Sequence, residues 1–225
     1  MKIENYNITF FEGNKLSKLV VFIHEDKSIV EKIFTKIEEI KPTIVCIEGT
    51  DRNSDFSPSS ASIKLFGKTT NFSGNASQYL LFFKNVLFPR CLKELKIIDD
   101  DSYKFCIGGY SLAGLFAVYS IFYSNLFSYC LSCSSSLWFP NFVDSIKGQK
   151  VSNKLEFTYF SLGDEEEKSK NPLISMVRFK TNECIDILKN QNVKTLFEMN
   201  SGGHFKDVEL RILKAVNNLI KFDSL

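Results

Sequence analysis

"CIGGYSLAGLF", residues 106–116, decides how this chain is read. It begins as an apolar run suited to a buried strand, crowds Gly108, Gly109 and Gly114 around Ser111, and continues into a tract that is apolar nearly all round. A strand that turns directly into a helix needs a sharp corner, with small neighbours two residues either side. Gly109 and Ala113 occupy those places, and Gly114 lets the helix lie close to the strand. Ser111 thereby stands at a helix N-terminus, where the dipole and free N–H groups favour developing negative charge.

Outward from that corner, strand-like and helix-like segments alternate, the pattern of an α/β fold around a mostly parallel sheet flanked by helices. Buried strands are expected at 18–26, 43–49, 104–110, "YCLSCSS", "LEFTYFSLG" and "VKTLFEMN", with an antiparallel edge strand in the first dozen residues. Helices are expected at 28–40, closed by Lys41-Pro42, and at 76–88, with Pro89 kinking or ending it. Others are expected at 111–124, at 171–189 with Asn171 as N-cap and Pro172 first inside, and over "DVELRILKAVNNLIKF". Residues 50–75 read as a long polar loop of functional or mobile character. No repeat or linker divides the chain, so a single domain over 1–225 is expected.

Bulk properties exclude several classes. A net charge of +2, dispersed along the chain, leaves no electrostatic footprint for nucleic acid. No apolar stretch is long enough for a membrane span. Cys130 and Cys133 form a C-x-x-C without the second pair or histidine that a zinc set needs, so no metal is expected. Free thiols and the absence of an export signal at the start point to the cytoplasm.

Serine becomes a nucleophile at neutral pH when a base takes its proton, and imidazole is the usual base. The chain has two histidines. His204, in "NSGGHFKD" after the last strand, fits the chain order serine, acid, histidine. His24 precedes Ser111 and reads as structural or site-lining. The acid belongs between Ser111 and His204, where "SLGDEEEK" offers four; Glu166, three residues after Gly163, comes first and Asp164 second. An oxyanion needs two converging donors: one expected from the backbone of Leu112, the other near Glu25 or Asp26.

On "GYSLAG", "SLGDEEEK", "GGH", "DRNSDFSP" (51–58) and "SSSLWFPNF" (134–142), the chain resembles the esterase D-type branch of the α/β-hydrolases, most closely its enterochelin-esterase-like members. The resemblance spans nearly the whole chain. It implies an α/β-hydrolase fold without a large lid domain, and cofactor-free hydrolysis of a small-molecule ester through a serine acyl-enzyme. It also implies Arg52, in an R-x-x-acid pattern with Asp55, as a contact for a polar or anionic substrate, against the reading of an exposed loop arginine. Trp138 is implied at the pocket border, against a place in the core. Ser59 departs from the aromatic that relatives often carry there, so a different substrate pocket is expected; the expected substrate is a small or polar ester, with siderophore-like esters among the candidates but siderophore specificity not implied. A thioesterase or acyltransferase would use the same residues, and a catalytically silent binding protein is the rival from another class. Nothing in the sequence sets an oligomeric state.

Overall fold

The computed structural model describes residues 1–65, 67–98 and 100–224. In chain order the strands are β1 (Lys2–Ile3), β2 (Tyr6–Phe11), β3 (Leu19–His24), β4 (Thr43–Glu48), β5 (Ser60–Leu65), β6 (Lys68–Ser73), β7 (Lys104–Tyr110), β8 (Tyr129–Cys133), β9 (Phe157–Gly163) and β10 (Lys194–Asn200). The α-helices are α1 (Lys27–Thr35), α2 (Arg52–Asp55), α3 (Ala76–Phe82), α4 (Phe88–Glu94), α5 (Leu112–Tyr123), α6 (Phe142–Ser145), α7 (Val177–Lys189) and α8 (Val208–Asp223).

Eight strands form one sheet in the order β1-β2-β4-β3-β7-β8-β9-β10. From β4 to β10 every pairing is parallel, while β1 and β2 pair antiparallel at one edge. A parallel sheet covered on both faces calls for strands apolar on both sides, and β3 is buried at all six positions. Its alternation sorts two cores. Val20 and Phe22 face a cluster with Phe83, Leu87 and Phe116, whereas Leu19, Val21 and Ile23 face Val30 and Ile33 of α1 and Ile212 and Val216 of α8. No helix among the described residues is long and apolar enough to cross a membrane.

Four elements differ from expectation. Helix α1 stops at Thr35, because the Lys36 N–H bonds the Ile33 carbonyl and tightens the last turn before Lys41-Pro42 is reached. Pro89 does not end its helix: a π-helical turn, Phe83–Leu87, joins α3 to α4, and the proline sits in the first turn of α4. A local widening of this kind absorbs a missing donor. Apart from residue 66, which lies outside the described residues, the stretch 50–75 is ordered by α2 and the antiparallel hairpin β5–β6. Helix α7 begins at Val177 rather than at Pro172: Asn171 Oδ1 accepts from the N–H groups of Leu173 and Ile174 in a turn that leads into the 3-10 segment Ile174–Met176, so Asn171 caps that turn and not α7.

Because β3, β7, β9 and β10 run parallel, His24, Tyr110, Gly163 and Asn200 end at the same edge. The segments leaving that edge carry the polar residues singled out above.

Candidate active site

Ser111 follows β7 with φ 61° and ψ −121°, a backbone conformation that costs a side-chain-bearing residue energy and persists only when its surroundings enforce it. The enforcement is visible. The Ser111 N–H donates to the Cys133 carbonyl at 3.0 Å, and the Ser111 carbonyl accepts from the N–H groups of Leu115 and Ser136. A Cβ on Gly109 would lie 2.5 Å from that of Ala113, and one on Gly114 2.0 Å from the Ser135 hydroxyl. Both glycines are therefore required by close approach, as the sequence implied.

His204 lies in the loop after β10, with Nε2 3.0 Å from Ser111 Oγ and Nδ1 2.8 Å from Glu166 Oε2. An ionised carboxylate only accepts, so Nδ1 carries the proton and Nε2 is left to accept from the serine hydroxyl. The Tyr110 hydroxyl donates to the His204 carbonyl at 2.7 Å and fixes the loop from below.

Glu166 is buried. Its Oε1 accepts from the Gly163 N–H at 2.7 Å, the Ser134 hydroxyl at 2.8 Å and Arg211 Nη1 at 2.9 Å. Burial pushes its pKa up, but the bonds from His204, Gly163 and Ser134 outweigh that, and the carboxyl is held below its ordinary value. Asp164, the second choice for this place, turns away: its Oδ1 accepts from the Gly202 N–H at 2.7 Å and braces the loop that carries His204.

Arg211 was not anticipated. Fully buried on α8, it donates through Nη1 to Tyr110, Ser134 and Glu166, and through Nη2 to the carbonyls of Ser201 and Gly203. One guanidinium thus ties the acid, the corner strand and the histidine loop together, its planar fork suited to several acceptors at once. The signal was in the register of α8, where Arg211 falls on the face of Ile212, Ala215, Val216 and Leu219.

A cavity of about 330 Å³ opens beside Ser111 and His204. Leu112, Ser136 and Trp138 line it, so the border reading of Trp138 is the one the structure adopts; Asn53, from α2, contributes the one side-chain amide among its described lining residues. Two expected residues fall elsewhere. Arg52 does not line this cavity: Nη2 donates to the Tyr110 carbonyl at 2.7 Å, Nη1 stands 3.8 Å from Glu25, and the guanidinium lies over the Phe56 ring. It braces the strand behind the serine, because the tight corner leaves that carbonyl in need of a donor. Glu25 likewise borders a separate cavity of about 170 Å³ with Arg52 and Asp26, and its carbonyl accepts from the Cys46 thiol, so the second-donor assignment to that loop is not carried by the cavity at Ser111.

His24 is walled in. Its Nε2 pairs with the Tyr79 hydroxyl at 2.8 Å, and Phe56, Phe83 and Phe116 surround the ring. Burial also raises the pKa of all six cysteine thiols, which removes them as competing nucleophiles. Chemically, the arrangement at Ser111 can withdraw a proton from a hydroxyl, hold the resulting imidazolium against a carboxylate, and stabilise an oxyanion at the start of α5.

No protein-family model matches the chain. It is 24% identical over 164 residues to a Bacillus subtilis protein, the uncharacterised YbbA, a match covering 72% of this chain and 65% of that protein, so it spans less than two thirds of that relative's length. Among solved structures, an IroE-like serine hydrolase from Shewanella oneidensis superposes with a TM-score of 0.76 at 18% identity, over 96% of this chain and 75% of the other. The siderophore hydrolase EstB from Aspergillus nidulans gives 0.70 at 12% identity, over 97% and 95%. The enterobactin and salmochelin hydrolase IroE gives 0.63 at 16%, over 95% and 94%.

Proposed function

Proceeding from the α/β-hydrolase fold shared with those structures, we propose that this chain is a serine hydrolase that cleaves carboxylic esters through an acyl-enzyme, without a cofactor. The reading rests on one observation: an unbroken contact chain of Ser111, His204 and Glu166 beside a cavity, on a corner that holds Ser111 in a strained backbone conformation. Fold likeness alone would not carry it, since one fold hosts many activities.

His204 Nε2 takes the Ser111 proton as Oγ bonds to the ester carbonyl carbon, and the oxyanion forms near the Leu112 N–H. The C–O bond to the alcohol breaks as His204 returns the proton to the departing oxygen. Water then adds to the acyl-enzyme with the same two proton transfers, freeing the acid and restoring Ser111. Glu166 holds the imidazole in the required tautomer and offsets its charge, while Arg211 and Tyr110 position these two groups without touching substrate. A thioester would follow the same course, its leaving sulfur in place of oxygen.

A fluorophosphonate probe tests the proposal. The wild-type protein should be labelled at Ser111 and Ser111→Ala should not; an unlabelled wild type, under conditions where a known esterase reacts, would make the chain a binding protein on a hydrolase fold.

A further inference from the structure

The walls of the Ser111 cavity are chemically one-sided. Leu65 and Phe72 come from the hairpin β5–β6, Ile174 and Val177 from the entry to α7, and Leu112, Trp138 and Phe205 complete the apolar surface. No lysine or arginine lines it among the described residues. The ionisable acids that do are Glu165 and Glu166, and Arg52, the cation the resemblance implied at the substrate, is spent on the Tyr110 carbonyl. An anionic acyl group would therefore lose hydration, meet no cation, and stand close to carboxylate charge. A compact apolar group would exchange water for aromatic and aliphatic contacts.

Resting on the hydrolase reading above, we infer that the substrate is an uncharged ester with a compact apolar acyl group, and that carboxylate-bearing or polyanionic acyl groups are rejected. The acyl part belongs in this cavity because it stays bonded to Ser111 while water arrives, whereas the alcohol must depart past His204, beside the exposed Phe205. At about 330 Å³ the space lies near the lower end of small-molecule sites, which suits acyl groups of roughly four to eight carbons. An adjoining cavity carries Lys64 and Lys170; it shares Ser169 and Ile174 with this one but neither Ser111 nor His204. Those lysines can meet charge on a distal part of a substrate, not on the group bonded to the serine.

The test is kcat/KM for 4-nitrophenyl acetate, butanoate, hexanoate and pentanoate, with the hemisuccinate as the charged near-isostere of pentanoate. Butanoate should exceed acetate by about tenfold, two buried methylenes being worth about 1.6 kcal/mol. Hemisuccinate should fall about 100-fold below pentanoate, and the hexanoate-to-acetate ratio should shrink in both Trp138→Ala and Phe72→Ala. A hemisuccinate rate equal to that of pentanoate overturns the inference, the more so if Lys64→Ala or Lys170→Ala abolishes it. Ser111 labelling with a flat acyl series sinks the substrate class alone; absence of both labelling and turnover sinks the hydrolase reading beneath it.

Discussion

Two imidazoles stand at the same edge of one sheet, and each has a hydroxyl on Nε2: Tyr79 at 2.8 Å for His24, Ser111 at 3.0 Å for His204. They differ at the other nitrogen. His204 Nδ1 meets the Glu166 carboxylate, whereas His24 Nδ1 is buried with no hydrogen-bond partner. They also differ in access, His204 keeping a quarter of its side chain exposed and His24 being 1% exposed among aromatic rings. Burial, with Arg52's charge nearby, lowers the His24 pKa to about 3, so that ring stays neutral and cannot hold a transferred proton. A histidine–hydroxyl contact is thus not by itself a catalytic pair. A carboxylate behind the ring and space in front of it make the difference.

Exchanging the two rings in turn should give the widest separation. His204→Asn should lower kcat by about 10⁴-fold, the scale of losing a triad base, while leaving the fold intact. His24→Gln should change kcat by no more than about threefold, its cost appearing in stability through the aromatic cluster. Comparable activity losses in the two variants, both shown folded by circular dichroism, would erase the distinction.

The same comparison sharpens at the acid. Glu166→Gln keeps the shape but favours the wrong tautomer, and kcat should drop about 10³- to 10⁴-fold. Asp164→Asn keeps an acceptor for the Gly202 N–H and only weakens the bond that braces it, so kcat should stay within about tenfold and thermal stability should fall by no more than about 1 kcal/mol. Steady-state kinetics on both variants settles the order, and a larger loss for Asp164→Asn would reassign the role.

That Ser111, His204 and Glu166 come together was legible in the sequence because each is placed by local cues: small residues around a corner, glycines before a loop histidine, and a three-residue offset from a strand end. The place of Arg52 was open because sequence gives a charge but not its direction, and the Tyr110 carbonyl turned the guanidinium away from the cavity; the donor loop at Glu25 was placed only by its following β3, and Glu25 borders a different cavity. Arg211 carried a signal of its own, since a lone cation in an apolar helical stripe implies a buried acid to meet it. The hairpin was missed because "SIKL" and "TTNFS" bury only Ile63 and Phe72 fully, so the polar majority read as loop. Gly67, at φ +80° in a two-residue connection between Leu65 and Lys68, was the turn residue available to be noticed.

The smallest effect, and the one most specific to the contrast, is on acid stability. His24 is harder to protonate folded than unfolded, where it titrates near its ordinary value of about 6.5. Above that pH neither state holds the proton and His24 imposes no penalty. As pH falls below about 6.5 the unfolded chain takes up a proton that the folded ring refuses, so stability drops, by at most about 1.4 kcal/mol per pH unit, until folded protonation near pH 3 ends the decline. Glu166 adds its own loss only lower, since its depressed carboxyl contributes stability that disappears as pH falls through and below the ordinary carboxylate range. Between pH 6.5 and 5 the two contributions separate. Urea midpoints in that window should fall more steeply for wild type than for His24→Gln, by about 1 kcal/mol per pH unit. Parallel slopes would mean that the ring at 24 takes up its proton in the folded state, and the contrast between the two imidazoles would then rest on the carboxylate alone.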